Sequence, residues 1–137
     1  MLFRSGIEIL PTGYLLIDGG LPTSVSYMSN TFPIPGDKDD IAACTALAGE
    51  MLGLRLIYLD AGSGARFTVS PSMVKSVRRS IQVPLIVGGG IRTPEKAVAL
   101  CHAGADILVV GNVFETHSSL MPEIASAVKS AMAGDVL

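Results

Sequence analysis

Short apolar runs rich in Val, Ile and Leu alternate along this chain with longer stretches in which apolar and charged positions recur at helical spacing. A strand buried on both faces reads as a continuous apolar run, the habit of parallel sheets. Residues 7–18 read as a strand region, bent at Pro11 and Gly13. Residues 19–36, rich in proline and glycine around the polar run 24–31, predict a long loop of the kind that serves as a lid or binding element. Residues 37–52 predict a helix with acids in its first turn, alanines in its middle and Gly53 as its stop. A strand over 54–59 follows. Ser70-Pro71 then opens a second helix as N-cap and N1, with Met73, Val74, Val77 and Ile81 on its apolar face and Lys75, Arg78 and Arg79 towards water. Residues 83–87 read as a strand, Thr93-Pro94-Glu95 starts a third helix ending near Ala103-Gly104, 105–110 is the last strand and 123–132 the last helix. Such alternation argues for an α/β fold with a parallel sheet and right-handed crossovers. The units number four, where a closed (β/α)8 barrel needs eight and typically about 250 residues. The chain is therefore a small open sheet or half of a barrel.

The strand exits carry the candidate chemistry. Tyr58-Leu-Asp-Ala-Gly-Ser-Gly64, Leu85-Ile-Val-Gly-Gly-Gly-Ile91 and Ile107-Leu-Val-Val-Gly-Asn112 each close an apolar run with residues of little or no side chain. Glycine at an exit lets backbone N–H groups approach a ligand closely, and such turns suit the oxygens of a phosphate. Repeated in order between helices, they point to a phosphate site on an α/β scaffold.

Composition narrows the class. The 137 residues suffice for one domain with a sizeable core, and 49% apolar against 16% charged residues argues against disorder. A net charge of −2 gives no reason to expect nucleic acid or an acidic membrane surface as a partner. No apolar stretch reaches the roughly 18 residues that span a bilayer. The first five residues have no apolar core followed by a small-residue cleavage site, so they do not read as a secretory signal. Cys44 and Cys101 fall in predicted helices and read as small core residues in a reducing, cytoplasmic setting.

Gly13-Tyr-Leu-Leu-Ile-Asp-Gly-Gly20, Tyr58-Leu-Asp-Ala-Gly-Ser-Gly-Ala65, Val87-Gly-Gly-Gly-Ile-Arg92 and Val110-Gly-Asn112 together resemble the geranylgeranylglyceryl/heptaprenylglyceryl phosphate synthase family. The resemblance implies the C-terminal half, about four β/α units, of a TIM (β/α)8 barrel. It covers residues 6–137 as one half-barrel, while residues 1–5 do not follow the family pattern. The turns after the last two strands are shared with many phosphate-binding barrels. The Tyr-Leu-acid-Ala-Gly-Ser-Gly stretch, with Pro33-Ile-Pro35 before an alanine-rich helix, is more selective. The implied activity is transfer of a prenyl group from a polyprenyl diphosphate to sn-glycerol 1-phosphate, with magnesium, in ether-lipid synthesis. Carried over residue by residue, the glycerol-phosphate site comprises Tyr58, Leu59, Asp60, Ala61, Gly62, Ser63, Gly64, Gly89, Gly90, Gly111 and Asn112. Asp60 is the implied catalytic residue, an acceptor that holds a glycerol hydroxyl and takes its proton. Backbone N–H groups of Gly89, Gly90, Gly111 and Asn112 face the phosphate, aided by a helix N-terminus, and Tyr58 and Ser63 orient the substrate. The family usually has glutamate where this chain has Asp60, which keeps the carboxylate one methylene shorter. The family's first-strand metal-binding aspartate and its nearby lysine have no counterpart here, so no metal ligand is assigned in this chain and magnesium is expected on the missing half. The chain alone is expected not to turn over, and its open edges and inner face favour a homo-oligomer.

Blander readings compete at several of these positions. Asp60 could cap its loop or pair with Arg55 or Arg92, the triple glycine could be only a tight turn, and Asn112 could only tolerate a left-handed one. His102 and His117 lack metal-ligand spacing, Glu115 reads as a surface residue, and Arg92 is expected to pair with a neighbouring acid. Asp37, Asp39 and Asp40 read as a solvated helix start. Two further functions stay open: a sugar-phosphate isomerase or lyase on the same scaffold, and a half-barrel that binds phosphate without catalysis.

Overall fold

The computed structural model describes residues 6–134, so the reading of residues 1–5 lies outside them. The elements run β1 (Thr12–Leu16), α1 (Ser24–Ser29), α2 (Asp39–Met51), β2 (Leu56–Asp60), α3 (Pro71–Ser80), β3 (Leu85–Gly88), α4 (Pro94–His102), β4 (Ile107–Val109), α5 (Asn112–Thr116) and α6 (Leu120–Gly134). The strands form one sheet in the order β1-β2-β3-β4, and every neighbouring pair is parallel. Four β/α units in this order are half of a (β/α)8 barrel.

Strand alternation splits the sheet into two faces. Leu15, Leu59 and Val87, with Ile57 and Leu85, turn towards the helices and are buried with Met73, Val74 and Val77 of α3 and Ala42, Ala43 and Ala46 of α2. This is the core. On the other face, Tyr14, Tyr58, Ile86 and Ile107 share one register row. Leu16, Asp60, Gly88 and Val109 form the row above it, at the strands' C-terminal ends. That face is partly open: Tyr14 is 45% exposed, Ile107 47% and Val109 43%, whereas Leu16 and Asp60 are buried.

The expected helix starts hold. Ser70 accepts the N–H of Met73, Thr93 accepts that of Lys96, and a proline follows each cap. Three differences appear. The segment expected as a loop contains α1, started by a reciprocal capping box between Thr23 and Ser26 and ended by Asn30 in the left-handed region. The first strand begins only at Thr12, because Pro11 brings no donor to the ladder, although its carbonyl accepts the N–H of Arg55. Cys44 is exposed rather than in the core, since α2 turns Ala42, Ala43, Ala46 and Gly49 inwards and position 44 lies off that face. Cys101 is half-buried, and burial pushes its thiol pKa up. Among the described residues no helix is long and apolar enough to cross a membrane.

Candidate functional site

A parallel sheet delivers all its strand ends to one edge, and the candidate functional residues gather there. Asp60 is the last residue of β2 and only 8% exposed. A buried carboxylate needs donors. Its Oδ1 accepts the N–H of Gly62 at 2.9 Å, and its Oδ2 accepts the hydroxyl of Tyr14 from the neighbouring strand. Neither Arg55 nor Arg92 pairs with it: Arg55 binds Glu8 at 3.0 Å. The Tyr14 and Tyr58 rings meet edge to face, with centroids 5.3 Å apart and planes at 82°. Partial burial raises the pKa of both phenols. For Tyr14 the hydrogen bond to Asp60 and that residue's charge add to the rise; for Tyr58 the charge alone does.

The glycine turn after β3 is pressed against the loop after β2. A Cβ at Gly88 would lie 2.4 Å from the Tyr58 hydroxyl oxygen. Gly89, at φ +82°, would place one 2.7 Å from the Gly62 nitrogen and 2.9 Å from that of Ala61. Ala61 in turn donates to the Gly88 carbonyl at 3.0 Å. These glycines therefore serve loop-on-loop packing first, a use distinct from approach to a ligand.

Two side chains tie the loop after β2 to its neighbours. Asn112 Oδ1 accepts the Ser63 hydroxyl at 2.9 Å and the Gly64 N–H at 3.3 Å. Arg92 Nη2 donates to the Ala65 carbonyl at 2.8 Å and the Gly64 carbonyl at 3.4 Å. Arg92 thus binds backbone carbonyls where an acidic partner was expected.

These contacts enclose a cavity of about 160 Å³. Tyr58, Asp60, Ser63 and Gly64 line it together with the Gly89–Gly90 and Gly111–Asn112 turns. Leu59, Ala61 and Gly62 do not line it. Leu59 is in the core, Ala61 is buried behind the wall, and the Gly62 N–H is spent on Asp60. Sequence reasoning missed Tyr14, which no local pattern ties to Asp60, and gave Arg92 the wrong partner. A second, more apolar groove of about 580 Å³ lies between the end of β1 and α1, lined by Leu16, Ile17, Tyr27 and Phe32 among others. Among the described residues no group of three or more His, Cys, Asp or Glu side chains is placed to hold a metal.

Four parallel β/α units, with glycine-bearing strand exits beside a buried carboxylate, define an α/β protein built as half of a (β/α)8 barrel. The PcrB family profile matches residues 2–131, and the chain belongs to that family. It is 59% identical over 128 residues to the geranylgeranylglyceryl phosphate synthase of Chitinophaga pinensis, covering 93% of this chain and 51% of that one. The synthase of Thermococcus kodakarensis is 52% identical over 117 residues, covering 85% of this chain and 46% of its own. Among solved structures, (S)-3-O-geranylgeranylglyceryl phosphate synthase from Thermoplasma acidophilum, in complex with sn-glycerol-1-phosphate, superposes with a TM-score of 0.84 at 38% identity. That match covers 95% of this chain and 52% of the other. The chain spans about half the length of the relatives it matches.

Proposed function

We propose that this chain is the glycerol-phosphate-binding half of a prenyltransferase that joins a polyprenyl diphosphate to sn-glycerol 1-phosphate. One observation carries the reading: the Asp60 carboxylate shares one small cavity with the glycine-bearing turns Gly89–Gly90 and Gly111–Asn112. In this reading the phosphate rests on Gly89, Gly90, Gly111 and Asn112, with Arg92 as the cation on the same wall. Tyr58 and Ser63 orient the glycerol, and Asp60 takes the proton of the attacking hydroxyl. The glycerol oxygen closes a C–O bond at the allylic carbon, and diphosphate leaves with the electron pair of the broken bond. The prenyl chain lies in the groove beside α1. The Thermoplasma acidophilum synthase, crystallised with sn-glycerol-1-phosphate, supports the choice of acceptor.

Magnesium neutralises a diphosphate leaving group through hard oxygen ligands, and the described residues do not fit it. Among them no group of three or more acidic, His or Cys side chains is placed to hold such an ion, and Asp60 is a single carboxylate. We assign its ligands to the half of the synthases that this sequence does not cover. The free thiols Cys44 and Cys101 accord with a reducing cytoplasm, and the open inner face with self-association.

Fusion to the remaining half of the Chitinophaga pinensis synthase tests the reading. The chimera should transfer geranylgeranyl groups to sn-glycerol 1-phosphate in a magnesium-dependent reaction, and Asp60→Asn should lower kcat by at least about a hundredfold, the scale of a lost general base. Full activity in the Asp60→Asn chimera would overturn the role of Asp60. Turnover of a sugar phosphate in its place would favour the isomerase or lyase reading.

A further inference from the structure

Asp60 is held from two directions. The Gly62 N–H comes from its own loop, and a bond of this local kind would leave the other oxygen free to swing. The second donor comes from a different strand. Leu16 is the register partner of Asp60, so Tyr14, two residues earlier on β1, sits one row below and lifts its hydroxyl to Oδ2 along the sheet's inner face. The phenol is itself braced. Tyr58 packs edge-on against its ring, and Tyr58 is seated over Gly88, where a methyl group would strike its hydroxyl. Three adjacent strands thus converge on the orientation of one carboxylate.

We propose that Tyr14 is a positioning residue for Asp60: it holds the carboxylate so that its remaining lone pairs meet the hydroxyls of a polyol phosphate, and so sets the preference for such a ligand over bare phosphate. The inference rests on the reading of Asp60 as the acceptor of a glycerol hydroxyl. Its chemistry is simple. A phenol has one proton, and here it is committed to the carboxylate. The groups that face it are Asp60 and Tyr58; partial burial and the Asp60 charge both oppose phenolate formation, so the donor stays protonated through the neutral range.

Tyr14→Phe removes this donor and keeps the ring against Tyr58. Calorimetry on the 137-residue chain, with sn-glycerol 1-phosphate and inorganic phosphate as separate ligands, reads the result. The wild-type chain should prefer glycerol 1-phosphate. Tyr14→Phe should cut that preference by about tenfold, the size of one hydrogen bond to a charged group, with phosphate affinity unchanged. In the Asp60→Asn background the same change should add little, because the two residues act as one unit. Equal loss for both ligands, or no loss, would overturn the proposal. Failure of every variant to bind either ligand would sink the phosphate-site reading, and a second measurement then judges Tyr14 alone. Tyrosinate absorbance, followed against pH, should show both raised phenols, Tyr14 and Tyr58, ionising at lower pH in Asp60→Asn, the one that shifts further being missing from Tyr14→Phe. An unchanged titration in Asp60→Asn would refute the link.

Discussion

Gly89→Ala separates what a glycine does for the backbone from what it does for its neighbours. Two costs arise. At φ +82° an alanine sits in the left-handed region, at roughly 1–2 kcal/mol. Its Cβ would also lie 2.7 Å from the Gly62 nitrogen, 2.8 Å from the Gly62 oxygen and 2.9 Å from the Ala61 nitrogen. These are backbone atoms and cannot rotate aside, so the two loops must part, an overpacking cost of about 1–3 kcal/mol. Gly53 supplies the control: its φ is +88°, and a Cβ there meets nothing within 4 Å. Gly53→Ala should therefore lose only the conformational share, and Gly89→Ala about 2–5 kcal/mol. With a urea dependence of about 2 kcal/mol per molar, the midpoints of the two variants should differ by about 0.5–1.5 M. Phosphate affinity, measured in parallel, should fall in Gly89→Ala and stay level in Gly53→Ala. Equal midpoints would show that the close packing of the two loops carries no energy. A destabilised Gly89→Ala that binds phosphate normally would remove this turn from the phosphate site.

Two further outcomes follow from the same contacts. The Tyr14 and Tyr58 phenols have folded pKa values raised above the ordinary 10.0, so above that pH the folded chain keeps protons that the unfolded chain releases. Their contribution is complete below pH 10.0 and is lost as the pH climbs towards the folded values; the urea midpoint should drop more steeply with alkali in the wild type than in Tyr14→Phe, and parallel slopes would contradict this. Asn112→Ala removes the acceptor of the Ser63 hydroxyl and the Gly64 N–H, both at the surface, so global stability should change by less than about 1 kcal/mol while the Gly64 amide exchanges faster; unaltered exchange would show that the tether holds nothing.

Much of the fold was legible because its signals are local. Ser70-Pro71 and Thr93-Pro94 cap helices by chemistry contained within a few residues, and Met73, Val74 and Val77 show the buried face of α3 by spacing alone. Helix α1 was not legible for a matching reason. It buries no residue, so it has no apolar period, and only the short Thr23–Ser26 box announces it among prolines and glycines. Cys44 was misplaced because an alanine-rich helix hardly distinguishes its faces until the sheet chooses one.

The two ends of the site differ in the same way. The end proposed for the phosphate is backbone, and backbone sites leave a mark in sequence as glycine at a strand exit; parallel pairing then brings those exits to one edge without any knowledge of distance. Its carboxylate end depends on side chains that cross between strands. The Tyr14 hydroxyl reaches Asp60 only because Leu16 pairs with Asp60 and Tyr14 with Tyr58, a register that a one-residue slip would destroy by turning Tyr14 to the helix side. Gly88 belongs to this end as well. Its missing side chain makes room for Tyr58, which braces Tyr14, so a residue that reads as part of a phosphate turn acts on the carboxylate through two aromatic rings. A substitution at Gly88 should therefore disturb hydroxyl recognition before phosphate recognition, the opposite of what its place in the triple glycine suggests.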